Sequence, residues 1–308
     1  MNGRKIVGNL VQLQMLQSTA RKLLKAQLDQ GPPYDLHAVA EALDVQVHEE
    51  NIAGALGYVR RRDNGYDVFV NATLSEERKR FTLGHELGHV VLMRAAEDGL
   101  PVNLVRYSKD GCPPGLEEDP AEEALCNWFS AELLMPEHDV AELLRESGGS
   151  PRAIYDIHCT FRVSLHAAAT RVMTVKGTPK TSSISLWDCS TPWPTTHWWV
   201  GRRPVSRAER DTIEGLVTAV KSARDAKPAA AKSSSGNHVP CKVRNKKTVD
   251  VQFFRNGRWM LVSIRKGESP RNALNQTASP SAPVSEPLPA ESRMRSAAPE
   301  RQLQLFSR

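Results

Sequence analysis

The sequence predicts an α+β fold, and three observations support this prediction. Apolar residues recur at helical spacing in several segments of the first half, which is typical of amphipathic helices. The step Asn64-Gly65 lies between two short segments rich in β-branched and aromatic residues, which favours a β-hairpin. A second hairpin pattern surrounds Asn256-Gly257. We therefore expect a mainly helical domain with a small β-sheet, followed by a smaller basic α/β region.

Helices dominate the first half of the chain in this prediction. The expected helices span residues 15–28, 36–43, 76–94, 121–135, 137–146, 151–159 and 164–175. The expected strands of the first hairpin span residues 56–61 and 66–71. Asp35, Ser75 and Ser164 are typical N-cap residues, whereas Pro136 is expected to end the helix before it. The turn leading into Ser164 is similar to that of a helix-turn-helix.

The composition changes after residue 175, and we divide the chain there. Residues 1–175 are expected to form the helical domain, residues 176–267 a basic accessory region, and residues 268–308 a disordered tail rich in Ser, Pro, Ala and Arg. The expected elements of the accessory region span residues 183–188, 206–223, 249–254 and 259–264. Its closely spaced tryptophans favour packing in a core or a dimer interface over a ligand site. They are Trp187, Trp193, Trp198 and Trp199.

The net charge of +6 is distributed unevenly along the chain. Residues 176–308 contain 23 Lys and Arg against 10 Asp and Glu, whereas residues 1–175 contain 18 against 25. A basic half after an acidic half favours contact with an anionic partner such as nucleic acid. A solvated basic tail is the alternative interpretation.

The cysteines and the N-terminal residues indicate a cytoplasmic protein. The five cysteines are odd in number, widely scattered and without a Cys-x-x-Cys pair, which favours neither a disulfide framework nor a four-cysteine zinc site. The first residues lack the apolar segment of a signal peptide, and no apolar stretch is long enough to span a membrane. We expect a reducing compartment and no membrane association.

The chemistry of the chain is indicated by the motif His85-Glu86-Leu87-Gly88-His89. Histidines four residues apart project from one face of a helix, so both imidazoles can bind one metal ion, which we expect to be zinc. Glu86 is placed to accept a proton from a water that attacks a carbonyl group. We expect Gly88 to leave the helix uncrowded where a substrate approaches. The alternative is a pair of histidines satisfied by ordinary hydrogen bonds.

A third metal ligand is expected from the acidic helix that follows Pro120. Glu123 and Asn127 are four residues apart, so Glu123 could bind the metal while Asn127 accepts a hydrogen bond from a ligand histidine. Glu122 is expected to point elsewhere, and Asp119 is better placed as a helix cap. A solvated acidic turn remains the alternative interpretation.

Three segments resemble the ImmA/IrrE family of bacterial metallopeptidases. They are residues 80–89 (RFTLGHELGH), residues 123–136 (EALCNWFSAELLMP) and the pattern Phe-x-Val-Ser-x-x-Ala-x-x-x-Arg over residues 161–171. The resemblance covers residues 15–175 and implies a zincin-like fold with one zinc ion per chain. Gly84 and Cys126 replace the usual alanines, and a cysteine near a metal makes oxidation a further expectation.

The resemblance also implies roles for individual residues. His85, His89 and Glu123 are the implied zinc ligands, with a glutamate third ligand as in gluzincins, and Glu86 is the implied catalytic base. Family members commonly cleave a helix-turn-helix repressor, which relieves repression of a mobile element or a stress response. We expect the same class of substrate here, as an extended segment added to the strand at residues 66–71.

Two other functions remain open at this point. The chain could be a DNA-binding regulator with a structural zinc site, which salt-dependent DNA binding would reveal. It could also be a toxin-type partner that binds a repressor without cutting it, which Glu86→Gln would test. Tyr155, His158 and Arg171 are candidates for stabilising the oxyanion. The sequence indicates neither the individual substrate nor the oligomeric state.

Overall fold

The computed structural model describes residues 3–99, 120–147, 150–175, 181–201, 207–225, 237–243 and 247–266. Within these ranges the chain combines helices with two β-sheets, as the α+β prediction requires. The helices are α1 (Gly3–Leu24), α2 (Leu36–Ala42), α3 (Glu76–Glu97), α4 (Pro120–Leu134), α5 (Glu137–Ser147), α6 (Pro151–Phe161), α7 (Leu165–Thr174) and α8 (Arg207–Asp225). The strands are β1 (Val45–Glu50), β2 (Gly57–Arg62), β3 (Gly65–Asn71), β4 (Thr181–Asp188), β5 (Thr195–Gly201), β6 (Asn237–Val243), β7 (Lys247–Asn256) and β8 (Trp259–Lys266).

The first sheet contains three strands in the order β1-β3-β2. β2 and β3 form the predicted antiparallel hairpin, and Gly65 adopts a φ of 121° where the chain enters β3. β1 pairs with β3 in parallel and was not predicted. Consequently β3 is paired on both sides, and β2 is an edge strand within the described residues. The expectation that an extended substrate adds to β3 is therefore wrong.

Helices α3 and α4 cross at close range beside this sheet. A Cβ atom at Gly84 would lie 2.7 Å from Ser130 Oγ, and one at Gly88 would lie 3.1 Å from the Cα of Cys126. The two glycines therefore allow the helices to approach each other. Gly88 faces α4, so the expectation that it leaves room for a substrate is wrong.

Helix caps follow the sequence with one exception. The side chain of Asp35 accepts hydrogen bonds from the first turn of α2, and Ser150 and Ser164 do the same for α6 and α7. The αL conformation of Arg162 (φ 51°) forms the predicted turn between α6 and α7. Ser75 occupies the N-cap position of α3, but its side chain makes no capping hydrogen bond.

The second sheet contains five antiparallel strands in the order β5-β4-β8-β7-β6. One face carries Ile184, Leu186 and Leu261, which join the apolar core of the first half of the chain. The opposite face carries Trp187 and Val251, which pack with residues of α8 such as Val217. Both faces of the sheet are thus covered by helices.

The tryptophans and the domain limits are the remaining predictions about this region. Trp187 is fully buried and Trp198 and Trp199 are half-buried, as expected for packing, whereas Trp193 is 77% exposed. The described residues belong to one compact unit that extends to Gly267, and the proposed domain limits at residues 175 and 267 stay predictions. The predicted tail and residues 100–119 lie outside the described residues. In the described part, no helix has the length and apolar character needed to cross a membrane.

Candidate metal centre

The two motif histidines lie one turn apart on α3 and their rings converge. Their Nε2 atoms are 3.1 Å apart, and the ring planes are inclined by 71°. His89 is buried, whereas His85 is partly exposed. Helical spacing alone explains why both imidazoles share one face, as the motif predicts.

Helix α4 brings Glu123 to the same point. One carboxylate oxygen lies 3.1 Å from His85 Nε2 and the other lies 3.2 Å from His89 Nε2. Potential ligand atoms of these three residues all lie within 4.8 Å of one another. Two imidazole nitrogens and one carboxylate are a donor set that suits zinc and leaves a position for a water or a substrate.

The Nδ1 atom of each imidazole also has a partner within hydrogen-bonding distance. Asn127 Oδ1 lies 3.0 Å from His85 Nδ1, which is the contact expected from the sequence. Glu122 Oε1 lies 2.9 Å from His89 Nδ1, so the expectation that Glu122 points elsewhere is wrong. Neighbouring residues on α4 can both contact His89 because its two nitrogens lie on different sides of the ring.

Glu86 is buried on α3, directly after His85. Strand β2 runs close to it, because a Cβ atom at Gly57 would lie 3.1 Å from Glu86 Oε1. The same Cβ atom would lie 2.8 Å from the carbonyl oxygen of Phe69 and 2.7 Å from Thr82 Cγ2. Sequence reasoning missed Gly57, although a glycine at the start of a strand often marks a close backbone approach.

The electrostatics of the cluster favour a charged arrangement in the metal-free protein. Burial would lower the pKa of His89, but contacts with Cys126, Glu122 and Glu123 outweigh it and hold that pKa well above its usual value. Hydrogen bonds from His85 and His89 hold the pKa of the Glu123 carboxyl well below its usual value. A cation therefore competes with a proton on the imidazole of His89 for this site.

Cys126 lies on α4 beside the histidines and is fully buried. Burial raises the pKa of its thiol, which keeps it in the less reactive protonated form. These properties argue against the expectation that Cys126 makes the site sensitive to oxidation.

The three residues considered for oxyanion stabilisation have contacts elsewhere in the fold. Buried Arg171 pairs with the carboxylate of Glu132 and donates to the carbonyl oxygen of Met135 at 2.8 Å. His158 contacts the carbonyl oxygen of Val163, and Tyr155 packs against the ring of Phe254 on β7. These contacts assign them to packing between α4, α6, α7 and the second sheet.

Comparisons with known proteins relate part of the chain to a family of metallopeptidases. Residues 40–173 match the family model of the IrrE N-terminal-like domain, Peptidase M78. The radiation response metalloprotease IrrE of Deinococcus radiodurans is 34% identical over 112 residues, which cover 35% of this chain and 32% of the relative. Its counterpart from Deinococcus deserti is 32% identical over 132 residues, which cover 41% of this chain and 42% of the relative. The matches thus span well under half of the curated relatives' length.

The family match and the histidine–carboxylate cluster support a domain of metallopeptidase type. Residues 40–173 form a domain of the IrrE N-terminal-like family, which confirms the expected resemblance to the ImmA/IrrE family for this part of the chain. Among solved structures, a Mycobacterium tuberculosis transcriptional regulator covers 92% of this chain and 100% of its own, with 11% identity and a TM-score of 0.44. That score is too low for a shared fold to be inferred.

Proposed function

We propose that the protein is a zinc-dependent endopeptidase that hydrolyses a peptide bond in a helix-turn-helix repressor. The observation that carries this proposal is the convergence of His85, His89 and Glu123. Potential ligand atoms of these three residues all lie within 4.8 Å of one another, close enough to bind one metal ion. Membership of a metallopeptidase family supports the reaction class. The repressor as substrate rests on the resemblance to the ImmA/IrrE family, and cleavage would relieve repression of a mobile element or a stress response.

In the proposed hydrolysis, metal binding and proton transfer are carried out by different residues of the site. Zinc, when held by His85, His89 and Glu123, supplies a Lewis acid that activates water and polarises a carbonyl group. Glu86 accepts the proton of the water as its oxygen bonds to the carbonyl carbon of the substrate. When the carbon–nitrogen bond breaks, Glu86 delivers that proton to the departing amine. The products are a carboxylic acid and an amine.

The edge strand β2 is the better place for an extended substrate to bind. Unlike β3, it has one side without a partner strand among the described residues, and main-chain groups on that side can pair with a peptide. Gly57 at the start of β2 approaches Glu86, so a peptide paired there passes the proposed catalytic base.

The function is tested with Glu86→Gln and a repressor encoded beside the gene. Because the amide cannot accept the proton, we expect cleavage to fall by about 100- to 10,000-fold while bound zinc stays at the wild-type level. Glu142→Gln, an exposed change on α5, serves as the matched control and should cleave normally. Equal cleavage by Glu86→Gln and wild type would remove Glu86 from its role.

The structure weakens one support for a DNA-binding function. Helix α7, the second helix of the helix-turn-helix-like pair, packs against β5, and its Arg171 is buried. The exposed residues of α7 are His166, Thr170 and Thr174, without a Lys or Arg among them. Contact of the basic half with nucleic acid therefore stays a separate prediction, as do a cytoplasmic location and the non-cleaving alternative.

A further inference from the structure

We propose that Glu122 is a positioning residue that fixes the orientation and tautomer of His89 in the metal centre. The inference rests on the proposed zinc-dependent function. Glu122 Oε1 lies 2.9 Å from His89 Nδ1, and the side chains are 5% and 3% exposed. Nothing in the sequence motifs assigns this role, because they identify His85, Glu86, His89, Glu123 and Asn127 but not Glu122.

The close crossing of α3 and α4 places Glu122 at His89. Gly88 lies against Cys126, so the first turn of α4 comes within hydrogen-bonding distance of the α3 histidines. Adjacent carboxylates then contact opposite nitrogens of one ring: Glu122 contacts Nδ1 and Glu123 contacts Nε2. The imidazole of His89 is thereby held on both sides.

The chemistry of this contact determines which nitrogen can bind a metal. A carboxylate accepts hydrogen bonds, so the Glu122 contact requires a proton on His89 Nδ1. In the neutral imidazole the lone pair is then on Nε2, the atom that lies beside Glu123 and His85 Nε2. A carboxylate behind the imidazole also makes it a stronger electron donor to the metal.

The two histidines have different hydrogen-bond partners at Nδ1. His89 has a buried carboxylate behind it, whereas His85 has the amide oxygen of Asn127, which lies on an exposed residue. A charge-assisted hydrogen bond is stronger than a neutral one. Glu122 and Glu123 together also match the charge of a divalent cation bound by two neutral imidazoles. We therefore assign His89 as the more firmly held ligand.

A purely structural salt bridge between α3 and α4 is the competing explanation. The zinc affinity of Glu122→Gln separates the two, and the tautomer of His89 tests the geometry on which the inference rests. In the wild-type protein loaded with one equivalent of zinc, nitrogen-15 NMR of the imidazoles should show His89 protonated at Nδ1 and coordinated through Nε2. Coordination through Nδ1, or a proton on Nε2, would overturn the inference. This measurement needs no substitution, so it does not depend on a variant that folds.

The substitution Glu122→Gln removes the charge and keeps the shape. We expect zinc affinity, measured by competition with a chelating dye, to fall by about 10- to 100-fold, because outer contacts of this kind have that effect. The absorption spectrum of bound cobalt should also change, and Glu142→Gln should match wild type in both. Thermal unfolding of the metal-free proteins checks that each variant folds.

The outcomes distinguish this inference from the proposed function. If wild type binds zinc and cleaves the repressor while Glu122→Gln binds zinc equally well, Glu122 has no positioning role. If Glu122→Gln loses only thermal stability, the contact is structural and the inference is wrong. If wild type itself binds no zinc, the proposed function fails and this inference fails with it.

Discussion

His85 and His89 belong to one motif, but their surroundings differ. His89 is buried between two carboxylates and the Cys126 thiol, whereas His85 is partly exposed next to Asn127. The sequence spacing determines that both rings share a face. The spacing does not determine how deeply each ring is buried, because burial depends on how closely α4 packs against α3. The difference in burial is what distinguishes His89 from His85.

Zinc binding should depend on pH in a direction set by His89. Its raised pKa means that, in the metal-free protein, the imidazole keeps its proton to a higher pH than an ordinary histidine. That proton must leave before Nε2 can bind zinc, so we expect zinc affinity to rise with pH through and above about pH 6.5. Calorimetry in buffers of different ionisation enthalpy should detect proton release at neutral pH. Affinity that does not change with pH, with no proton released, would contradict this.

The residue roles were partly predictable from the sequence. The motif predicted the two histidines, the spacing made Glu123 and Asn127 candidates, and the resemblance to the ImmA/IrrE family selected Glu123 as the third ligand. The structure brings all four side chains together. Glu122 was missed because helical spacing places the adjacent side chains of Glu122 and Glu123 on different faces of α4. The imidazole of His89 is large enough to contact both carboxylates, one through each nitrogen. Gly57 was missed because its role depends on a contact between a strand and a distant helix.

At the scale of elements, the crossing of α3 and α4 is the feature that assembles the site. Gly84 and Gly88 are four residues apart, so they lie on the same face of α3, towards Ser130 and Cys126 of α4. Larger residues at these positions would push the helices apart. The carboxylate of Glu123 would then move away from the histidines, and the cluster would open.

The approach of β2 to α3 leads to a prediction about Gly57. In Gly57→Ala the new methyl group would lie 2.8 Å from a backbone oxygen and 3.1 Å from Glu86 Oε1, so β2 or Glu86 must shift. We expect cleavage to fall by about 10- to 100-fold, as for a misplacement near 1 Å, with zinc content unchanged. Gly215→Ala on α8 is the matched control, because its Cβ would meet no atom within 4 Å. Unchanged cleavage by Gly57→Ala would show that β2 can retreat without affecting the site.

Two of the strands missed by sequence reasoning, β1 and β6, have physical reasons in common. Four of the six residues of β1 are polar, so the alternation of Val45 and Val47 with polar residues is only a weak indication of a strand. β6 contains Pro240, which argues against a strand, yet the strand is at the edge of its sheet, where a proline is tolerated. Both strands are stabilised by pairing with a neighbour rather than by local preference.

At the scale of the whole molecule, the helix pair α6–α7 packs between the second sheet and the helices α4 and α5 of the first half. Ile184, Leu186 and Leu261 of the second sheet belong to the same apolar cluster as Leu87 and Phe129 beside the metal centre. The segment that resembles a helix-turn-helix is therefore part of the packing between the peptidase-type domain and the basic region. Local patterns predicted the helices but not this packing, because it depends on contacts between residues far apart in sequence.

The central claim is that His85, His89 and Glu123 together bind one zinc ion. X-ray absorption at the zinc edge, on wild-type protein loaded with one equivalent, tests it most directly. We predict two imidazole nitrogens and carboxylate or water oxygen at about 2.0–2.2 Å, without sulfur. A sulfur neighbour at about 2.3 Å would place Cys126 or another cysteine on the metal, and fewer than two imidazoles would remove a motif histidine. Either result would contradict the account.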